Sequence, residues 1–283
     1  VAAQGGDFTS PVDAAEWVAA QGPGDLNRFV ILITPGVYSI PEEIVLPSYT
    51  SVLGDGYLVS RIIRTAGGAD TRVAYCSGKT HITLHDLTLR NEAGGSTSNH
   101  VLRVDGSTSV DLQGVAFESA GATGTNYQLY IEGNSQLAGR DLLFRHDAGA
   151  RVHRAVEVET SEVSMAHATI LMVSQSSSVD IYGVFVMGAS TVYLRDSTIA
   201  MVHQAANRFA YCTFLSGVGG TMQVSNSSLQ PVTLTAGNNR YYGSNLDEHT
   251  AKYFCCLLDG STTTYGGILI RFGCYNSSGV AVP

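Results

Sequence analysis

Apolar residues recur along this chain in short alternating phrases. THITLHDLTLRN at 80–91, TSVDLQGVAFES, SQLAGRDLLFRH, SEVSMAHATILM, STVYLRDSTIAM and GTMQVSNSSLQP each read as strand, tight turn, strand. The residues opening these phrases, Ile82, Val110, Leu137, Val163, Val192 and Met222, stand 28, 27, 26, 29 and 30 positions apart. Those closing them, Leu89, Phe117, Phe144, Ile170, Ile199 and Leu229, keep the same steps. A further phrase precedes each one, as in VLRVDGS and QLYIEGN, anchored at Cys76, Val104, Ile131, Val158, Val186 and Leu215. Its companion column lies two residues earlier, at Ala74, Leu102, Leu129, Val156, Val184 and Thr213.

A period-two strand shows one apolar face, and a single copy cannot bury it. Copies wound into a coil stack like residues at a rise of about 4.8 Å, so each column becomes a continuous core. Two or three short strands per 26–30 residues predict a β-solenoid. A helical repeat would need a 3.6-residue stripe, and a propeller a period nearer 40. The column Asp86, Gly114, Asp141, His167, Asp196, Asn226 marks one turn of each phrase, where Asp and Asn suit a tight bend.

The ends differ from the repeats. TSPVDAAEWVAAQG predicts a helix with Ser10 as N-cap, Pro11 at its first position, Asp13 in its first turn and Gly22 beyond its end. Such a helix would plug the open end of the coil. The expected organisation is one domain: a cap at 1–28, coils over 29–231, a lateral loop at 232–256, and a last coil with its cap at 257–283.

Composition narrows the function. Sixteen Lys and Arg against 24 Asp and Glu give a net charge of −8, without the basic footprint of a nucleic-acid binder. There is no apolar run of membrane-spanning length. The start at Val1 without Met fits a processed chain, and an extracellular or surface location is the expectation.

GGDFTSPVDAAEW, ILITPGVYSI and LPSYTSVLGDGYLVSRII resemble the opening of the pectinesterase-type right-handed parallel β-helices. The whole chain, to its ending GCYNSSGVAVP, resembles secreted bacterial proteins of the pectin-lyase-like superfamily. This resemblance implies an all-β, single right-handed parallel β-helix with a short N-terminal capping helix. Pectinesterases carry an acidic residue after the Gly-x-Tyr step, where this chain has Ser39 and Ile40. HQAANRFAYCTFLSG at 203–217 echoes one of their segments without its Gln-Asp. Their catalytic residues therefore do not carry over.

Stacking places outward residues in columns too. Asp105, Glu132 and Glu159 share one, in which neighbours lie about 5 Å and alternate members about 10 Å apart. These separations compare with the carboxylate spacings of retaining and inverting glycosidases, which makes the three residues candidate catalytic groups. Stacked carboxylates repel, and the ladder could recruit Ca²⁺. Arg103, Tyr130, Phe185 and Phe214 lie beside it as a candidate ledge for sugar rings. His146 and His153 flank one loop, HDAGARVH, whose spacing is not that of a metal site.

Cys76 falls in an inward column. Cys212 and Cys255 each precede an apolar anchor, Leu215 and Leu258, by three residues, so they are expected to pair across successive coils. Cys256 and Cys274 form the second candidate bridge. The leading expectation is a non-catalytic extracellular rod whose face binds a glycan or associates with itself as a homo-oligomer or filament. A polysaccharide hydrolase or lyase using the stacked carboxylates is the alternative, and a phage-fibre or surface-filament subunit the third.

Overall fold

The computed structural model describes residues 1–93, 98–120, 125–146, 152–174, 180–203, 210–233, 239–244, 250–259, 261–263 and 268–282. Three parallel sheets of ten, nine and nine strands wind into a β-solenoid in which each strand hydrogen-bonds to its counterparts one coil before and one coil after. The first sheet runs from Phe29–Ile33 to Ile268–Phe272, the second from Gly36–Ile40 to Leu257–Leu258, and the third from Ile44–Val45 to Ser261–Thr263. The helix Pro11–Ala20 lies against the N-terminal coil, with the Ser10 side chain accepting from the Val12 N–H. Val12, Ala14, Ala15 and Val18 of that helix join the core.

The repeat columns are the sheets. Ile82, Val110, Leu137, Val163, Val192 and Met222 pair in register in the first. Leu89, Phe117, Phe144, Ile170, Ile199 and Leu229 do so in the second. Cys76, Val104, Ile131, Val158, Val186 and Leu215 do so in the third. All are buried. The turn between first and second sheets is left-handed at Asp86, Asp141, His167, Asp196 and Asn226, with φ from 48° to 55°, and at Gly114 with φ 60°. Asp and Asn tolerate this region better than other side chains.

Buried polar ladders satisfy the backbone where alternation breaks at the corners. The N–H groups of Lys79, Ser107, Ser135 and Ser161 each donate to the serine hydroxyl of the next coil, ending at Ser190. Ala168 and Ser197 donate in the same way to Ser197 and Ser227.

Two sequence expectations need correction. Residues 232–256 are not one lateral loop, because Asn239–Ser244 and Thr250–Phe254 continue the third and first sheets. Ala251 and Tyr253 take the inward places beside Met222 and Val224, and the Tyr253 hydroxyl meets the Thr213 hydroxyl at 2.6 Å. An inward tyrosine bonded to a threonine conceals the alternation.

The five cysteines are free thiols. Cys212 is buried in the third sheet, while Cys255 extends the left-handed turn column with φ 51°. Leu215 and Leu258 belong to different sheets, so the shared offset of three residues carries no proximity. Cys256 and Cys274 do lie on neighbouring rungs, where the Tyr275 N–H donates to the Cys256 carbonyl at 3.0 Å, and each thiol faces backbone carbonyls.

Candidate functional site

Chemistry gathers on the outer face of the third sheet. Its longer strands do not alternate from end to end. In Asp70–Ser77 the neighbours Val73 and Ala74 are both buried, which puts Arg72 and Tyr75 on the outside three residues apart. The same phase break recurs at Val101 and Leu102, and at Ala155 and Val156. Two outward columns result: Arg72, His100, Tyr127, Arg154, Tyr182, Tyr211, and Tyr75, Arg103, Tyr130, Glu157, Phe185, Phe214. A strict period of two misses the first column. Its steps of 28, 27, 27, 28 and 29 would have revealed it.

Asp105, Glu132 and Glu159 line the third outward column as expected, and each has its own partners. Asp105 accepts from the Tyr75 hydroxyl at 3.5 Å and the Ser77 hydroxyl at 3.3 Å. Glu132 accepts from Arg103 Nε at 2.6 Å, and the Arg103 Nη2 lies 2.5 Å away. The Tyr130 hydroxyl sits between two carboxylates, 3.0 Å from Glu132 Oε2 and 2.9 Å from Glu159 Oε2. Burial and then the bond to Glu159 push the Tyr130 phenol well above its ordinary pKa. Burial opposes the Arg103 charge, but Glu132 outweighs it and raises the guanidinium pKa.

Asp70 organises the N-terminal part of the face. It receives Arg72 at 2.8 Å, His100 Nε2 at 3.3 Å and Arg103 at 3.7 Å. Burial works against its charge, yet the Arg72 bond and these cations hold its carboxyl below the ordinary range. His100 is buried flat against Tyr127, rings 4.7 Å apart at 6°, and burial lowers its pKa to about 4.

The C-terminal part is aromatic. Phe185 and Phe214 stack at 5.2 Å, as do Tyr182 and Tyr211 at 5.3 Å. The Arg154 guanidinium lies 4.0 Å from the Phe185 ring centroid and 2.5 Å from Glu157 Oε2. Phe185 is thereby only 6% exposed, so Tyr130 and Phe214 are the half-buried rings of the expected ledge that remain reachable. Burial raises the Glu157 carboxyl above its usual range, with Arg154 pulling the other way. Sequence reasoning missed Arg72, His100, Tyr127 and Arg154 as members of this site.

Among the described residues no group of three or more His, Cys, Asp or Glu is arranged to hold a metal. His153 has no described side chain, and the loop after His146 lies outside the described residues.

No family model and no curated protein matches the sequence. Solved structures share the fold. A pectin methylesterase from Aspergillus niger superposes with a TM-score of 0.58 at 11% identity, over 97% of this chain and 84% of that one. The pectin methylesterase from Erwinia chrysanthemi gives 0.57 at 12%, over 100% and 89%. That from Yersinia enterocolitica gives 0.53 at 12%, over 98% and 92%. The chain thus has the parallel β-helix fold that these structures share. Among the described residues no helix is long and apolar enough to cross a membrane.

Proposed function

We propose that the third-sheet face binds a polysaccharide chain running along the solenoid axis, in an extracellular or cell-surface setting. One observation carries this reading. Arg103, Tyr130, Glu132 and Glu159 are locked together by hydrogen bonds in successive rungs, and the partly exposed ring of Phe214 stands on the same face two rungs beyond the coil of Glu159. A rung advances about 4.8 Å, close to the length of a sugar unit, so a straight glycan meets equivalent side chains at each step. Rings supply stacking surface, while guanidinium and carboxylate groups pair with hydroxyls or acidic substituents. A fold relative, a pectin methylesterase, has been solved in complex with a hexasaccharide.

Cleavage of the bound glycan is the second reading, favoured by the Tyr130 hydroxyl bridging Glu132 and Glu159. Two carboxylates held against one phenol are suited to exchange a proton with a substrate oxygen. Asp105, Glu132 and Glu159 are not arranged to hold a metal, so the expected Ca²⁺ enters only as a variable of the test.

A panel of acidic and neutral polysaccharides is incubated with the protein, with and without Ca²⁺, then analysed by mass spectrometry and by retardation in glycan-containing gels. Retardation that falls at least tenfold in Arg103→Ala and Phe214→Ala is the expected result. New oligosaccharides that vanish in a folded Glu132→Gln variant would convert the binding face to a catalytic one. Wild-type mobility in every gel would end the glycan reading.

A further inference from the structure

The first sheet carries a second concavity with different chemistry. In one of its outward columns small side chains stand between larger ones. Asp111, Ala138, Ser164 and Tyr193 follow one another in register, and Gln113, Arg140, Ala166 and Arg195 run beside them. Ala138, Ser164 and Ala166 therefore leave a trough in the middle of the sheet. It consists of two hollows, of about 360 Å³ and about 310 Å³, that meet at Ser164. Asp111, Gln136 and Glu162 line the first, and Tyr193, Arg195 and Gln223 the second.

Two rings bracket most of the trough: Tyr193 lines the second hollow, and His81 lies one rung before the first. Tyr193 is 42% exposed although it sits on a strand among residues that bury their apolar parts. At the other end His81 stacks on Tyr49, ring centroids 5.0 Å apart at 9°, and the Thr80 hydroxyl holds its Nδ1 at 2.9 Å. Tyr49 covers one face of the imidazole. On the next rung Ser109 stands between Thr108 and Val110, the partners of Thr80 and Ile82, and lines the first hollow. Tyr49, His81 and Ser109 all hold left-handed backbone, with φ of 54–56°. Outside Gly, Asn and Asp that conformation costs roughly 1–2 kcal/mol per residue.

We propose that this trough is a second glycan site, specific for an uncharged pyranose oligosaccharide of about four units. His81 and Tyr193 are four rungs apart, about 19 Å at 4.8 Å per rung. Charge selects the ligand class. Arg195 and Arg140 are engaged by Asp196 at 3.2 Å and Asp141 at 3.6 Å in the turn column. Asp111 and Glu162 have no cationic partner among the described ion pairs, and both line the trough. Two uncompensated carboxylates repel a uronate or sulfated chain but accept hydrogen bonds from neutral hydroxyls. The third-sheet face differs in that its arginines, Arg72, Arg103 and Arg154, are paired within the face itself, with Asp70, Glu132 and Glu157.

The test uses cellohexaose, mannohexaose, xylohexaose and an oligogalacturonate as probes in isothermal titration with the whole chain. Binding of a neutral hexamer is expected, lost at least tenfold in Tyr193→Ala and in Ala138→Trp, which fills the trough floor from its exposed side. Phe214→Ala on the third sheet should leave that affinity within twofold. Loss of third-sheet binding alone would refute the function proposed above while leaving this site intact. The second site is refuted if no neutral hexamer binds, if Phe214→Ala rather than Tyr193→Ala abolishes binding, or if only the oligogalacturonate binds.

Discussion

Single residues decide how this solenoid responds to pH. His100 and His146 are both driven to about 4 by burial, from an ordinary 6.5. Unfolded imidazoles take up protons as pH falls through 6.5, whereas the folded ones resist until about 4. Stability is therefore lost progressively between those values and levels off below, by up to roughly 3 kcal/mol for each histidine. Glu157 carries the opposite sign, since burial raises its pKa and favours the folded state at the acid end. The contribution of His100 is isolated by comparison with His100→Gln. Urea unfolding of that variant should show a shallower fall in stability from pH 7 to pH 4 than the parent. Parallel curves would mean that the imidazole is not buried neutral. The carboxylate column was legible at this scale because Asp105, Glu132 and Glu159 follow the anchors by one position. Arg72, His100 and Arg154 were not, because the doubled inward residues of the third sheet shift the phase of everything before them.

The same phase break fixes what an element tolerates. The second of the doubled inward columns contains Val73, Val101, Ala155, Gly183 and Cys212, packed at the junction with the second sheet. A Cβ on Gly183 would lie 2.6 Å from the Cys212 carbonyl oxygen and 2.7 Å from Ile199 Cγ2. One of these neighbours is backbone shared with the next rung, which cannot move without breaking the ladder. Gly183→Ala should therefore destabilise the protein by about 1–3 kcal/mol, as overpacking does, despite the better strand former. A calorimetric Tm equal to that of the parent would show that the corner has slack. In sequence this glycine opens the phrase GVFVMGA, of the same series as VLRVDGS and QLYIEGN, and nothing there marks the close contact. Strands were readable wherever Val, Ile, Leu and Phe held the inward places. They were hidden at Thr250–Phe254, where alanine and tyrosine do. Cysteine spacing misled for a related reason: equal offsets from apolar anchors are informative only when the anchors share a sheet.

For the whole molecule the question is what stops one rod from adding to another, since a parallel sheet with an open edge invites a further strand. At the N-terminal end the helix Pro11–Ala20 sits on the core, and the Thr34 N–H is satisfied by the Val1 carbonyl at 3.1 Å. At the other end the strand Ile268–Phe272 closes the first sheet, with Ile270 and Phe272 exposed on its outer side. Its inward position beside Tyr253, filled by Leu84, Leu112, Met165, Leu194 and Val224 in other coils, is Arg271. An inward charge on an edge strand is a known guard against edge pairing, because a second coil stacked there would bury it. Arg271→Leu removes that guard and extends the apolar column to the end of the rod. The variant should self-associate at concentrations where the parent does not, seen as a rise in mass by light scattering after size exclusion. Equal masses would place the block elsewhere at that end. Filaments of the parent protein would show that the edge is open despite its charge, and would favour the structural role over the glycan-binding one.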